Sequence, residues 1–240
     1  MSHHIAAKII ACGLMALSSL AMAQEKPPIV PAKPSLTPSS PTLLPQGVYT
    51  QIDTRLGQEA LRLLSQGSPQ QQQHTLERVR ANPGQFQPPV LYVLSQVLFK
   101  AGQHEEAAFW FYAGQLRARF DANRCTDATA AQALDVMNKN FGPPISRYLF
   151  QDLEKASALI TRVVEWDRRT PYSYDPRWIN LHGMQAVQAA RDPQFASKIP
   201  PGSLSLPSSQ WPALAEQTRS KYLQGYLEAI AQLQAEPRTP

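Results

Sequence analysis

The sequence predicts an all-α fold of stacked helical hairpins, with about eight helices in a single domain, residues 47–235. Apolar residues recur there every three or four positions, which is the spacing of helices with one buried face. Proline and glycine divide this pattern into segments of helix length. We find no convincing two-residue alternation of the kind that marks a half-buried strand. With 43% hydrophobic residues among 240, the chain can bury one sizeable core.

Residues 1–23 have the features of a secretory signal peptide. Lys8 precedes a continuous apolar run, and small residues surround a cleavage point after Ala23. Lipid attachment at Cys12 is disfavoured because too few apolar residues precede it. No later stretch approaches the roughly 20 apolar residues of a membrane span, so no stable membrane insertion is expected. The mature chain is therefore predicted to start at Gln24 in the periplasm.

Residues 24–46 form a proline-rich leader that we expect to be extended and disordered. Its prolines stand at positions 27, 28, 31, 34, 38, 41 and 45. Proline excludes helix and removes backbone donors from any sheet, so the leader is predicted to act as a spacer.

The charge and the cysteine content limit the partners of the mature chain. The formal net charge is +5, and it becomes +4 when Lys8 is removed, without a run of basic residues. We therefore expect no nucleic-acid binding. Cys125 is the only cysteine after the signal peptide, so the fold must be stable without an internal disulfide.

Two helices are predicted before the centre of the domain. The first begins near Gly47 and ends at Gly67, and its apolar face consists of Val48, Ile52, Leu56, Ala60 and Leu63. Ser68 then caps a second helix that starts with Pro69, where the missing proline N–H would have no helical partner anyway. The breaker at 83–84 ends this second helix.

Residues 88–119 are predicted to form the central hairpin. Leucines repeat at helical spacing through position 98, and Gly102 follows where a left-handed C-terminal cap is needed. The facing stripe of the second helix carries Ala107, Phe111 and Gly114. Aromatic residues 109–112 surround one helical turn, so we expect most to lie in the core while some can face outward.

A second hairpin is predicted after a turn at residues 121–125. Thr126 or Asp127 can cap its first helix, which Gly142-Pro143-Pro144 should end. Its second helix is long and amphipathic and ends near Trp166.

The last third is predicted to contain two helices separated by a long loop. Asp175-Pro176 starts the first helix, which reaches Ala189, while prolines make residues 191–209 irregular. A terminal helix closes the stack, and residues 236–240 form a tail. The buried face of the terminal helix is predicted to consist of Trp211, Leu214, Tyr222, Leu223, Tyr226, Ile230 and Leu233.

No catalytic, cofactor or metal site is predicted, and the protein is expected not to be an enzyme. The sequence His104-Glu105-Glu106 lacks the second histidine that a zinc-protease helix carries one turn later. His74 and His182 have no further ligands at a recognisable metal spacing. Cys125 would need a partner that lowers its pKa. A hydrolase that uses these two glutamates or the cysteine is the minor alternative.

Residues 167–178 form the predicted partner-binding loop. Prolines stiffen this loop, and it is rich in arginine and aromatic residues, which anchor many protein interfaces. The candidate contact residues are Arg168, Arg169, Tyr172, Tyr174, Arg177 and Trp178. The alternative is structural: the aromatic residues pack beneath the loop while one of the arginines pairs with Asp167 or Asp175.

Residues 88–119 resemble one tetratricopeptide or Sel1 repeat. The resemblance lies in the order and gaps of the leucines, Gly102, Ala107 and Phe111. It implies that helix pairs stack against one another, because a single repeat cannot bury its own apolar face.

A second resemblance covers about residues 48–190. The run Phe109 to Arg119, together with Phe141-Gly-Pro-Pro144 and Tyr174-Asp-Pro-Arg-Trp178, is similar to small exported bacterial proteins associated with type VI secretion loci. The resemblance implies a periplasmic immunity protein that binds and neutralises a toxic effector, of phospholipase or metallopeptidase type, by occluding it. The alternative is a periplasmic helical adaptor for envelope assembly or secretion.

Overall fold

A computed structural model describes residues 44–235, and within them it contains helices and no strand, which confirms the predicted all-α class. The α-helices are α1 (Arg55–Gln66), α2 (Pro69–Ala81), α3 (Pro88–Lys100), α4 (His104–Arg124), α5 (Gln132–Leu149), α6 (Leu153–Arg169), α7 (Met184–Arg191), α8 (Pro193–Lys198) and α9 (Trp211–Ala235). Short 3-10 helices span Gly47–Gln51, Pro83–Gln85, Ala128–Ala131, Pro176–His182 and Ser208–Gln210. The predicted signal peptide, most of the leader and the tail lie outside the described residues.

Helix α4 is the centre of the fold. It packs against α3, α5, α6 and α9, and its buried residues lie on all sides from Ala107 to Arg124. A helix buried all round is expected at the core of a helical domain. Helix α1 packs against α3, and α2 packs against α1, so the first two hairpins are neighbours. The repeat class stays a prediction.

Local capping signals position the first two hairpins as predicted. Ser68 Oγ accepts a hydrogen bond from Gln71 N–H, and the Gln71 side chain accepts one from Ser68 N–H, which together form a capping box before α2. Gly102 has φ +78°, so it adopts the left-handed conformation expected between α3 and α4.

The start of the domain differs from the prediction of one continuous helix from Gly47. A 3-10 helix ends at Gln51, and α1 begins only at Arg55. Asp53 lies between these two helices, and its backbone N–H donates a hydrogen bond of 3.0 Å to Asp175 Oδ2, which is distant in the sequence. A tertiary contact therefore interrupts the helical pattern.

Two predicted helix ends are wrong. Helix α4 continues to Arg124 through the predicted turn at 121–125, because Asp121 and Arg124 are buried in the core. Helix α5 continues through Pro143 and Pro144 to Leu149. Proline has no backbone N–H, so the carbonyls of residues 139 and 140 receive no helical hydrogen bond from positions 143 and 144. Residues 139 and 140 are exposed to solvent, whereas the last turns of α5 are packed in the core. The sequence predicts the end of α6 near Trp166, and the helix ends three residues later, at Arg169.

The predicted helix from Pro176 to Ala189 is divided at Gly183. A Cβ at Gly183 would lie 2.2 Å from Asp127 Oδ2, and Gln185 N–H donates to the same oxygen at 2.9 Å. The Asp127 carboxylate thus lies against the start of α7. The segment 191–209, predicted to be an irregular loop, contains the short helix α8. In α9, every residue predicted for the buried face is buried or half-buried.

The described residues form two apolar clusters. The larger one includes residues from α1 to α6, α9 and the loop 172–179. The smaller one joins the 3-10 helix at the start of the domain to α7, α8 and the loop after α8, and its buried members are Val48, Tyr49, Ile52, Ala186, Ala189, Ala196 and Leu204. Between residues 44 and 235, no helix combines the length and apolarity required to cross a bilayer.

Candidate functional site

The aromatic residues of the predicted partner-binding loop point in part into the core. Tyr174 and Trp178 are only 6% and 3% exposed. The Tyr174 hydroxyl and the Trp178 indole N–H both donate to Asp121 Oδ2, at 2.9 and 2.6 Å. These two side chains therefore hold the loop against α4, as in the structural alternative, and do not offer a surface to a partner.

Asp121 is the centre of a buried polar cluster. Its Oδ1 accepts two hydrogen bonds from the Arg124 guanidinium, each 3.2 Å long. Arg124 also donates to the carbonyl of Pro176 and to the hydroxyl of Ser205, so it joins α4 to two loops. Burial raises the pKa of Asp121 to about 6, although Arg124 and the loop donors oppose that shift.

Asp167 is the centre of a second buried polar cluster. It accepts hydrogen bonds from Arg117 Nε at 2.9 Å, from Arg219 Nε at 2.8 Å and from the Tyr172 hydroxyl. The Arg117 guanidinium lies 4.5 Å from the ring centroid of Trp166 and 4.3 Å from that of Tyr172. Helices α4, α6 and α9 and the loop are thus joined through one carboxylate.

The three predicted arginines of this region have different surroundings. Arg168 forms an ion pair with Glu216, with Nη2 and Oε1 2.5 Å apart. Arg177 pairs with Asp175 and donates to the carbonyl of Gln51 at 2.9 Å. Arg169 is exposed and has no hydrogen-bond or ion-pair partner within the described residues. Arg169 is therefore the predicted residue that is most available to a partner.

Arg169 lies at the border of a concave surface between α4 and α6, which we call the aromatic shelf. Its cavity volume is about 510 Å³, and it is lined by Glu105, Glu106, Phe109, Trp110, Arg162, Trp166 and Arg169. Phe109, Trp110 and Trp166 contact one another edge to face, with ring centroids 5.2 to 5.6 Å apart. These rings form a fixed apolar floor.

Both carboxylates that line the aromatic shelf form ion pairs. Glu105 Oε2 lies 2.7 Å from Lys155 Nζ, and this interaction lowers the pKa of Glu105. Glu106 accepts hydrogen bonds from Arg80 and from the Trp110 indole N–H. Burial raises the pKa of Glu106, but these hydrogen bonds outweigh it and the net direction is downward. Neither carboxyl has the raised pKa that a general acid uses near neutral pH.

The other groups considered for chemistry have structural contacts. Burial raises the pKa of the Cys125 thiol, and its sulfur accepts a hydrogen bond from Asn180 at 2.9 Å. A catalytic thiol would need a lowered pKa. His104 contacts the rings of Phe99 and Tyr148. Within residues 44–235 no three His, Cys, Asp or Glu side chains come together as a metal site would require.

Sequence reasoning identified parts of the aromatic shelf and missed others. The prediction was that some residues of the aromatic run 109–112 can face outward. In the structure Phe109 is half-buried, whereas Phe111 and Tyr112 are buried. It missed Arg162 and Trp166, which contribute from α6. Their four-residue spacing places them on one helix face, but the sequence does not show that this face borders α4.

A second concave surface lies between the start of the domain and the loop before α9. Its volume is about 480 Å³, and Arg177 and Trp211 contribute to its lining. Both of these side chains already have partners. The Arg177 guanidinium pairs with Asp175, and the Trp211 indole N–H donates to the carbonyl of Leu206. The aromatic shelf is the better candidate because it includes Arg169, for which residues 44–235 provide no hydrogen-bond or ion-pair partner.

No protein-family model matches this chain, and neither curated proteins nor solved structures show significant similarity to it. What the chain binds must therefore be inferred from its own surface chemistry.

Proposed function

We propose that the protein is a periplasmic immunity protein, which binds a toxic type VI secretion effector and neutralises it by occlusion. The observation that carries its protein-binding role is the aromatic shelf, where Phe109, Trp110 and Trp166 stand beside Arg162 and Arg169. Tryptophan and arginine are enriched among the residues that contribute most to binding at protein interfaces.

The rigidity of the surface supports inhibition by occlusion. The two helices of the aromatic shelf are joined by the Arg117–Asp167 ion pair, in which both side chains are at most 1% exposed. A surface held in this way loses little conformational entropy when it binds, so tight association needs no large rearrangement. The expected export to the periplasm and the resemblance to proteins of type VI secretion loci support an effector that acts in that compartment.

Coexpression tests this proposal. The mature chain and the effector encoded in the same locus would be directed to the periplasm of a susceptible bacterium, and growth and complex formation would be measured. We expect a stable complex and restored growth. A complex without restored growth would support an envelope adaptor. If no complex forms and growth is not restored, the immunity role is excluded. Substrate turnover by the purified chain alone would support the hydrolase alternative.

A further inference from the structure

The floor of the aromatic shelf is suited to a large apolar side chain. Trp110 is 6% exposed, whereas Phe109 and Trp166 are half-buried and keep part of their rings accessible. The cavity of about 510 Å³ lies in the size range of pockets that bury small organic ligands. A short extended segment with one aromatic residue therefore matches the volume better than a complete helix.

The border of the aromatic shelf has an excess of positive charge. Glu105 lies between Lys155 and Arg162, at 2.7 and 3.7 Å, and Glu106 is paired with Arg80. The lining itself carries two glutamates and two arginines. With the ion-pair partners Lys155 and Arg80, which lie outside the lining, the two carboxylates are paired with three cations before Arg169 is counted. Arg169 has no described partner, unlike the neighbouring Arg168, which pairs with Glu216.

From the apolar floor and the cationic border, we propose that the aromatic shelf binds an extended acidic segment of the effector, in which a carboxylate flanks an aromatic residue. The aromatic residue lies on Phe109 and Trp166, and the carboxylate pairs with Arg169. The identity of the partner rests on the proposed function, whereas the chemistry of the segment follows from the surface itself. Charge complementarity of this kind mainly determines specificity and association rate.

A basic segment fits the same surface poorly. Arg162 Cζ lies 5.3 Å from the ring centroid of Phe109, so a cation already occupies one side of that ring. A lysine or arginine of the partner would meet Arg162 and Arg169 without a free carboxylate in the described lining of the aromatic shelf, since both lining glutamates are paired. The surface thus discriminates by repulsion as well as by attraction.

Labelled peptides test the chemistry directly. Fluorescence anisotropy would measure binding of a short peptide with the core Asp-Trp-Asp to the mature protein. Matched peptides would carry Lys-Trp-Lys or Asp-Ser-Asp. We expect the acidic aromatic peptide to bind with a Kd of about 1 mM or tighter, and both other peptides to bind at least about fivefold more weakly.

Charge reversal at two matched arginines locates the site. Arg169→Glu should weaken binding of the acidic aromatic peptide by about five- to tenfold and improve binding of the Lys-Trp-Lys peptide. Arg191→Glu is the control, because Arg191 is also an exposed arginine in the last turn of its helix, α7, and does not line the aromatic shelf. Equal effects of the two variants, or no peptide preference, would overturn the proposal. Circular dichroism would confirm that both variants are folded.

The effector complex separates the two proposals. If the effector binds the native protein and Arg169→Glu equally well, the inhibitor role stands and the assignment of the aromatic shelf fails. If the peptides behave as expected but the effector is not bound, the surface chemistry stands and the immunity role fails. Arg169-dependent binding to phosphatidylglycerol vesicles in place of the peptide would identify an anionic lipid surface as the partner and overturn the acidic-segment proposal.

Discussion

At the scale of single residues, the two buried carboxylates explain why a loop rich in aromatic and arginine residues is ordered. Tyr172 donates to Asp167, and Tyr174 and Trp178 donate to Asp121. A buried charge is tolerated only when it is paired and its remaining lone pairs accept hydrogen bonds. Both carboxylates meet this condition, so removing one partner should cost more than an ordinary hydrogen bond.

Replacing the Asp121 carboxylate tests this condition. In Asp121→Asn, the new amide N–H₂ would face either the Arg124 guanidinium or the two loop donors, and the buried Arg124 would lose its counter-ion. We expect the free energy of unfolding to fall by about 3–5 kcal/mol, measured by urea denaturation. Tyr174→Phe removes a single donor and should cost about 1.5–3 kcal/mol.

The control for Asp121→Asn is Glu165→Gln, because Glu165 is exposed on α6. Its stability should change by no more than about 0.5 kcal/mol. A loss of less than about 1 kcal/mol in Asp121→Asn would show that the buried pair contributes no more than an exposed one.

The same carboxylate should titrate in an unusual range. Burial raises the pKa of Asp121 from 3.8 to about 6, whereas hydrogen bonds from Arg55 lower that of the exposed Asp53 to about 2. Because the folded state binds the Asp121 proton more tightly, this group stabilises the fold fully below pH 3.8 and loses that contribution as pH rises through about 6. Carbon-13 NMR of the two carboxyls would measure both midpoints. An Asp121 midpoint at or below that of the unfolded chain would contradict the assignment.

At the scale of helices, the accuracy of the sequence predictions depends on the range of the interactions. Ser68 and Gly102 act on backbone groups within three or four residues, so their caps are readable from the sequence. The continuation of α5 through its two prolines depends on distant packing, since Gly142 lies against the ring of Phe111. Likewise, Tyr174 and its acceptor Asp121 are 53 residues apart, which local patterns cannot show.

Glycine substitutions test how closely α3 and α4 must approach. A Cβ at Gly114 would lie 3.2 Å from Leu91 Cβ and 3.2 Å from Tyr92 Cδ2. Alanine favours the helix by about 1 kcal/mol over glycine, but separating two packed helices costs about 1–3 kcal/mol, so Gly114→Ala should be destabilising overall. Thermal denaturation would measure the change.

The matched control lies in α9. A Cβ at Gly225 would meet no atom within 4 Å, so Gly225→Ala should raise stability by about 0.5–1 kcal/mol through helix propensity alone. Stabilisation by both substitutions would mean that the α3–α4 interface tolerates the added methyl group.

At the scale of the whole molecule, the two apolar clusters should differ in stability. The larger one surrounds α4, whose Arg117 and Arg124 also form the buried ion pairs with Asp167 and Asp121. The smaller one depends on the short helices α7 and α8 and on the first 3-10 helix. Regions with fewer buried apolar residues open at lower free energy than the main core. The aromatic shelf belongs to the more stable part, which suits a surface that must keep its shape.

The contact between Gly47 and α8 should control the opening of the smaller cluster. Gly47 has φ +55°, and a Cβ there would lie 2.7 Å from the carbonyl oxygen of Ala196. Gly202 also has a positive φ, +84°, but a Cβ there would meet nothing within 4 Å. Alanine at either position carries a conformational cost of about 1–2 kcal/mol, and only Gly47→Ala adds a clash with α8. Hydrogen exchange should therefore accelerate across residues 193–198 by at least about tenfold more in Gly47→Ala than in Gly202→Ala, while exchange in α4 stays unchanged in both. Equal acceleration in the two variants would show that backbone strain alone, and not the contact with Ala196, couples the start of the domain to α8.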